Sequence, residues 1–240
     1  MRPTTILFAL GAVVTCSIAH AEAPVAIFDG RRSDKPVAPN AAETALLESV
    51  VHPEARAAWA DDGCSDTFVV LAKVKGSFTK RGARQSAVLY RFCNTGRQNG
   101  MSGVAILDQG RVAAHVVWKG GNEDAIVAMR DIDGNGLSEI AITDSGVGQG
   151  YVDSGISIVE LGPSDVKKLG FFDTYDDDCG SLRPRPAERA AVLYVTPGTT
   201  PRFFTKRFTK PCHARVSWRP LSARVPVRPK KSETSYRRLR

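Results

Sequence analysis

Residues 129–142 read Met129-Arg130-Asp131-Ile132-Asp133-Gly134-Asn135-Gly136-Leu137-Ser138-Glu139-Ile140-Ala141-Ile142. Oxygen-bearing side chains stand at alternate positions, Asp131, Asp133 and Asn135, and Glu139 follows four residues on. Alternate oxygens face one point only where the chain bends sharply, and Gly134 and Gly136 supply the positive φ that such a bend needs. With a backbone carbonyl from Leu137, the candidate ligand set is Asp131, Asp133, Asn135, Leu137 and Glu139. It is all oxygen, the chemistry that Ca²⁺ prefers and that Zn²⁺, with its His and Cys ligands, does not. An EF-hand closes on a bidentate Glu at its twelfth position and continues as a helix. The twelfth residue from Asp131 is Ile142, and Ile140-Ala141-Ile142 begins a strand, so the segment is a cation loop that leads into β structure.

The arrangement Asp131-x-Asp133-Gly134-Asn135-Gly136-x-x-Glu139, followed by a strand, resembles the FG-GAP or VCBS-type repeat of integrin-like β-propellers. Loops of that family bind Ca²⁺, so the resemblance implies a structural calcium ion within a blade-like β unit. It is confined mainly to residues 129–142, and Glu139 stands where the family usually has Asp. A degenerate copy lies at residues 76–90. Laying 77–88 on 131–142, an offset of 54 (131 − 77), matches Gly82 to Gly136 and Ala87 to Ala141. The ligand positions become Ser77, Thr79, Arg81 and Gln85, so this copy has lost its ion, with Arg81 expected to supply a fixed cation instead. A period near 50 residues is that of propeller blades, and residues 64–218 hold about three, short of the four that ring closure takes.

Short runs of β-formers surround these loops, at 68–71, 87–92, 103–107, 112–118 and 125–129, separated by turns such as Asp108-Gln109-Gly110. Residues 190–196 and 202–208 read as a final hairpin. The expected fold is mainly β: an antiparallel meander of blade-like, partial β-propeller-like units, with a short N-terminal helical segment and a disordered basic C-terminal tail. The helical segment starts at Asn40, where Glu43 completes a capping box, and buries Leu46, Leu47, Val50 and Val51; Pro53 ends it and opens a second short helix through Trp59.

Residues 1–21 carry Arg2, an apolar run and Ala19-His20-Ala21, the pattern of a secretory signal peptide. Cys16 as a lipoprotein site is disfavoured by Thr15 before it. No segment is apolar for long enough to span a bilayer, and residues 22–39 read as a flexible lead-in to a disulfide-tied domain at 40–218. The remaining Cys64, Cys93, Cys179 and Cys212 allow three pairings. Pairing 64 with 93 and 179 with 212 closes two loops of about 30 residues, each stabilising by roughly 3–4 kcal/mol; a Cys₄ zinc site would want a C-x-x-C pair, which is absent.

Gly146-x-Gly148-x-Gly150 lacks the helix that a phosphate cradle requires and reads as a long hairpin loop, flexible enough to offer a contact surface, with Asp144 or Asp153 near enough to complete the ion's ligands. Residues 173–178 form an acidic cluster, read as a solvated turn. The tail, 219–240, has eight Lys or Arg and one acid, while 22–218 sums to zero. It is expected to contact an anionic surface without specific nucleic-acid recognition, since Tyr236 is its only aromatic residue. No nucleophile elbow or zinc-binding helix motif appears, and His52, His115 and His213 have no recognisable partner, so no catalytic residue is assigned. The chain reads as an exported calcium-binding module for a protein or glycan; the alternative is a metal-dependent hydrolase of the cell envelope or extracellular space.

Overall fold

The computed structural model describes residues 23–32, 36–59, 67–96, 99–120, 122–162, 165–182, 184–232 and 234–239. The signal-peptide reading and Cys64 lie outside the described residues. Two four-stranded antiparallel meanders form the centre. The first is β2 (Val69–Gly76), β3 (Gln85–Gly96), β4 (Asn99–Asp108) and β5 (Arg111–Gly120); the second is β6 (Glu123–Ala128), β7 (Ile140–Gly148), β8 (Tyr151–Leu161) and β9 (Val166–Asp177). Val69 and Glu123, which open the two meanders, stand 54 residues apart, the same spacing as the two loops. A third, shorter unit is the hairpin of β10 (Ala187–Thr196) and β11 (Arg202–Pro211).

β3 explains why its sequence is apolar without alternation. Ala87 and Leu89 face the second meander across one core, while Val88, Tyr90 and Phe92 face the helical segment across another. A strand covered on both faces reads as a continuous hydrophobic run. The core between meanders is closed from the other side by Ile126, Ile140, Ile142, Val159 and Leu161. On the reverse face of β7, Ala141 joins a third cluster with Ile156, Ile158, Leu193 and Phe203. Glu188–Ala190 pair with Tyr175–Asp177, which welds the second and third units into one nine-stranded sheet; β2 to β5 sit in a five-stranded one.

Helix α1 (Ala41–Leu46) starts at the expected capping box, with the Glu43 N–H donating to Asn40 Oδ1 at 2.9 Å and the Asn40 N–H to Glu43 Oε2 at 2.9 Å. Pro53 does not end the helical segment. A π-helical turn over Leu47–Val51 carries it into α2 (His52–Ala57), where Pro53 sits in the first turn and its missing N–H costs nothing. The buried face is Leu47, Val51 and Ala55, and Val50 points outward, 39 % exposed.

Both termini depart from expectation. The lead-in is anchored by β1 (Val25–Asp29), which pairs with Val192–Val195 of β10. The basic tail is laid along the sheets: β12 (Arg219–Pro220) and β13 (Val225–Val227) pair with β11, the backbone of Lys230 bridges Phe171, and β14 (Arg237–Leu239) pairs with β5. Low hydrophobicity forbids a core of its own, but free edges of existing strands offer it ready-made hydrogen-bond partners. The glycine-rich segment is likewise ordered as strands. β7 and β8 stay in register to Gly148 and Tyr151, leaving a tight turn at Gln149 and Gly150. Asp144 and Asp153 thereby lie out along β7 and β8, Asp144 opposite Glu123 and Asp153 opposite Gly146.

Candidate metal centre

The loop between β6 and β7 is held on three sides. The Met129 N–H donates to Glu139 O at 2.8 Å across its neck, Ser138 N–H to Ser77 O at 2.8 Å in the first unit, and Gly198 N–H to Ile132 O at 2.9 Å in the third. Ile132 is fully buried and plugs the loop into the third core. Gly134 and Gly136 adopt φ of +82° and +86°, as the alternate-oxygen reading required.

Asp131 organises the bend by accepting from three successive backbone groups: Oδ1 from Gly134 at 2.7 Å and Asn135 at 3.1 Å, Oδ2 from Gly136 at 2.6 Å. Carboxylate oxygens of Asp131, Asp133 and Glu139 lie within 4.8 Å of one another. Asp133 and Glu139 are buried. Asn135 and Leu137 sit in the same bend, where Asn135 Oδ1 accepts the Leu137 N–H at 2.8 Å and Asn135 Nδ2 donates to Glu160.

Two charged side chains missed in the sequence complete the electrostatics. Glu160, on β8, is buried, and Lys167, paired with it across β8 and β9, donates to Asp133 Oδ2. The available signal for Glu160 was a lone acid within the apolar strand Ile156-Ser157-Ile158-Val159-Glu160-Leu161. Burial first, and then the charges of Asp133 and Glu160, push the Glu139 carboxyl up to about 7, against the pull of the Ile132 N–H. Asp133 raises the pKa of Lys167 through their hydrogen bond.

The degenerate loop is an internal reference. Gln85 Oε1 accepts from Phe78 N–H and Thr79 N–H, each at 2.9 Å, as Glu139 Oε2 accepts from Ile132 N–H at 2.9 Å. Phe78 and Ile132 are both fully buried. The other terminal atoms differ. Gln85 Nε2 donates to Thr79 Oγ1 at 2.8 Å and Asp108 Oδ2 at 3.1 Å, whereas Glu139 Oε1 is buried with no hydrogen-bond partner among the described residues. The Arg81 side chain reaches across to the second loop, where a Cβ added to Gly136 would come within 2.9 Å of its Cδ and 3.0 Å of its Nε.

The second acidic cluster is no solvated turn. Asp178 is fully buried and, with Asp176, is bridged by Arg189 at 2.9 and 2.7 Å, while Lys230 pairs with Asp173. The Cys179–Cys212 disulfide follows directly, as expected, and Cys93 is also disulfide-bonded. His115 is 2 % exposed, its Nε2 2.7 Å from Glu54 Oε2 and its Nδ1 3.4 Å from the Tyr90 hydroxyl. With Tyr90 fully buried, this is a structural link between α2 and the five-stranded sheet. No helix among the described residues is long and apolar enough to cross a membrane. Comparison with protein-family models, curated proteins and solved structures finds no match to this chain.

Proposed function

We propose that this chain is an exported β-repeat protein that holds a Ca²⁺ ion structurally at Asp131, Asp133 and Glu139, with Asn135 and Leu137 on the same bend. The carrying observation is the buried, partnerless Glu139 Oε1 beside two further carboxylates, at the position where the ion-free copy satisfies both atoms of its amide. A buried polar atom with no partner costs on the order of 1–3 kcal/mol, more when charged, and a hard cation among oxygens removes that cost. The donor set fits such an ion: it is all oxygen and acidic, three carboxyl groups converging beside Glu160, with Lys167 donating to Asp133. When bound, the ion would supply charge neutralisation and cross-linking of a loop that touches all three strand units. Full burial of Glu139 leaves no approach for a substrate on that side, which favours a structural over a hydrolytic role.

The braced units then present a ligand face. Between β9, β10 and β11 runs a groove of about 450 Å³ lined by Asp153, Asp173, Asp176, Arg189 and Arg207 with Phe171 and Tyr175. Aromatic faces flanked by carboxylates and guanidinium groups suit the hydroxyl-rich and apolar faces of a glycan, or a mixed peptide. The test is elemental analysis of the purified chain with melting curves in Ca²⁺ and in EDTA. Bound calcium and a melting temperature several degrees higher in Ca²⁺, both lost in Asp133→Ala, support the proposal; identical curves and no bound metal refute it.

A further inference from the structure

Charge is segregated along this chain more sharply than its tail alone reveals. Residues 22–188 carry 18 basic and 24 acidic side chains, while residues 189–232 carry 11 basic side chains and no acidic one. The acid-free stretch folds as one body: β10, β11 and the strap of β12 and β13 along the outer edge of β11. Arg189, Lys210 and Lys230 are paired with carboxylates. The other eight, among them Arg215, Arg219 and Arg228, have no carboxylate within 4.0 Å among the described residues. No residue from 211 to 232 is buried.

This rim also carries apolar side chains. Val216, Leu221 and Val225 are 50, 56 and 43 % exposed, alternating in sequence with Arg215, Arg219 and Arg224. Trp218 is half-buried beneath Lys210, whose ammonium stands 4.9 Å from its ring, and Arg224 stacks over Tyr194 at 4.8 Å. A soluble polyanion would satisfy the cations and leave the aliphatic groups in water. An anionic bilayer surface satisfies both, since phosphate headgroups meet the cations while Val, Leu and Trp enter the headgroup and acyl boundary. We propose that the rim formed by β11 and the 211–232 strap is a docking surface for an anionic lipid bilayer. It seats the protein edge-on through structured backbone, and it is independent of the calcium reading.

The test is co-sedimentation of the disulfide-intact chain with vesicles of phosphatidylcholine alone or mixed with phosphatidylglycerol. EDTA is present so that no divalent ion bridges carboxylates to lipid, and heparin beads serve as the soluble-polyanion arm. Binding is expected on phosphatidylglycerol vesicles only, falling steeply with added salt. Joint Arg215→Gln, Arg219→Gln and Arg228→Gln substitution should weaken it tenfold or more. Val216→Ser with Leu221→Ser should weaken vesicle binding severalfold and leave heparin retention unchanged. The salt titration of the unsubstituted chain stands even if a variant folds poorly. Absence of vesicle binding, or retention on heparin with no response of vesicle binding to the two serines, overturns the proposal.

Discussion

Glu139 and Gln85 accept the N–H of the buried residue at the equivalent place in each loop, Ile132 and Phe78, and from the same depth, but only Glu139 is a carboxyl group. Glu139→Gln should therefore stabilise the metal-free protein, by on the order of 2–3 kcal/mol if the carboxyl's rise to about 7 is relieved. It should also abolish any gain from Ca²⁺; denaturant unfolding in EDTA and in Ca²⁺ reads both. The pH dependence has a definite sign. Below the ordinary value of 4.5 both states hold the Glu139 proton; between 4.5 and about 7 the unfolded chain releases it and the folded chain keeps it. Folded protein then binds more protons, so this group's contribution falls as pH rises through that window. His115 works oppositely, because burial lowers its pKa and its contribution is lost as pH falls below 6.5. The difference between wild type and Glu139→Gln in EDTA isolates the carboxylate: the variant's advantage should grow from pH 4.5 to 7.5, and a constant difference would remove burial as the cause.

Among the elements, sequence reasoning succeeds where a local rule has one outcome. Asn40 with Glu43 specifies a helix start, and Asn40→Ala should cost about 1 kcal/mol in chemical denaturation. Gly134 and Gly136 specify a bend because few other residues reach that φ. The strands from β2 to β7 are legible because their apolar runs are bounded by turns; β9 is not, because Val166–Asp177 interleaves Lys and Asp with its apolar residues. What was illegible depends on partners distant in sequence. Glu160 and Lys167 enter the centre only through the β7–β8–β9 register. The glycines at 146–150 imitate a loop because their reason lies across the ladder: a Cβ on Gly148 would sit 2.4 Å from the Tyr151 ring, one on Gly150 2.1 Å from Gly180 O. Gly150→Ala, with φ of +84° as well, should then destabilise by about 2–3 kcal/mol. Gly82→Ala, at φ +68° with nothing within 4 Å, should cost only about 1 kcal/mol. Equal effects in thermal melts would show that the hairpin does not rest on the disulfide loop.

At the scale of the whole molecule, three strand units without ring closure leave exposed edges, and the termini cover them. β1 takes the inner part of β10, the strap takes β11, and β14 takes β5. The last seven residues do more than cover an edge. Tyr236 packs edge-on against Trp118 with centroids 5.3 Å apart and belongs to the core between meanders. Lys168 donates to Thr234 O at 2.7 Å, and Arg238 donates to Gly162 O, so this end ties β14 and the β8–β9 turn together across the two sheets. A disordered tail would be removable without effect. Deleting residues 234–240 should instead lower stability by on the order of 2–4 kcal/mol, the cost of losing a large aromatic side chain from a packed site. It should also enhance hydrogen exchange in β5, whose outer edge loses its partner. Tyr236→Ala should reproduce most of the stability loss while preserving protection in β5, because the backbone pairing of β14 with Val117 and His115 remains.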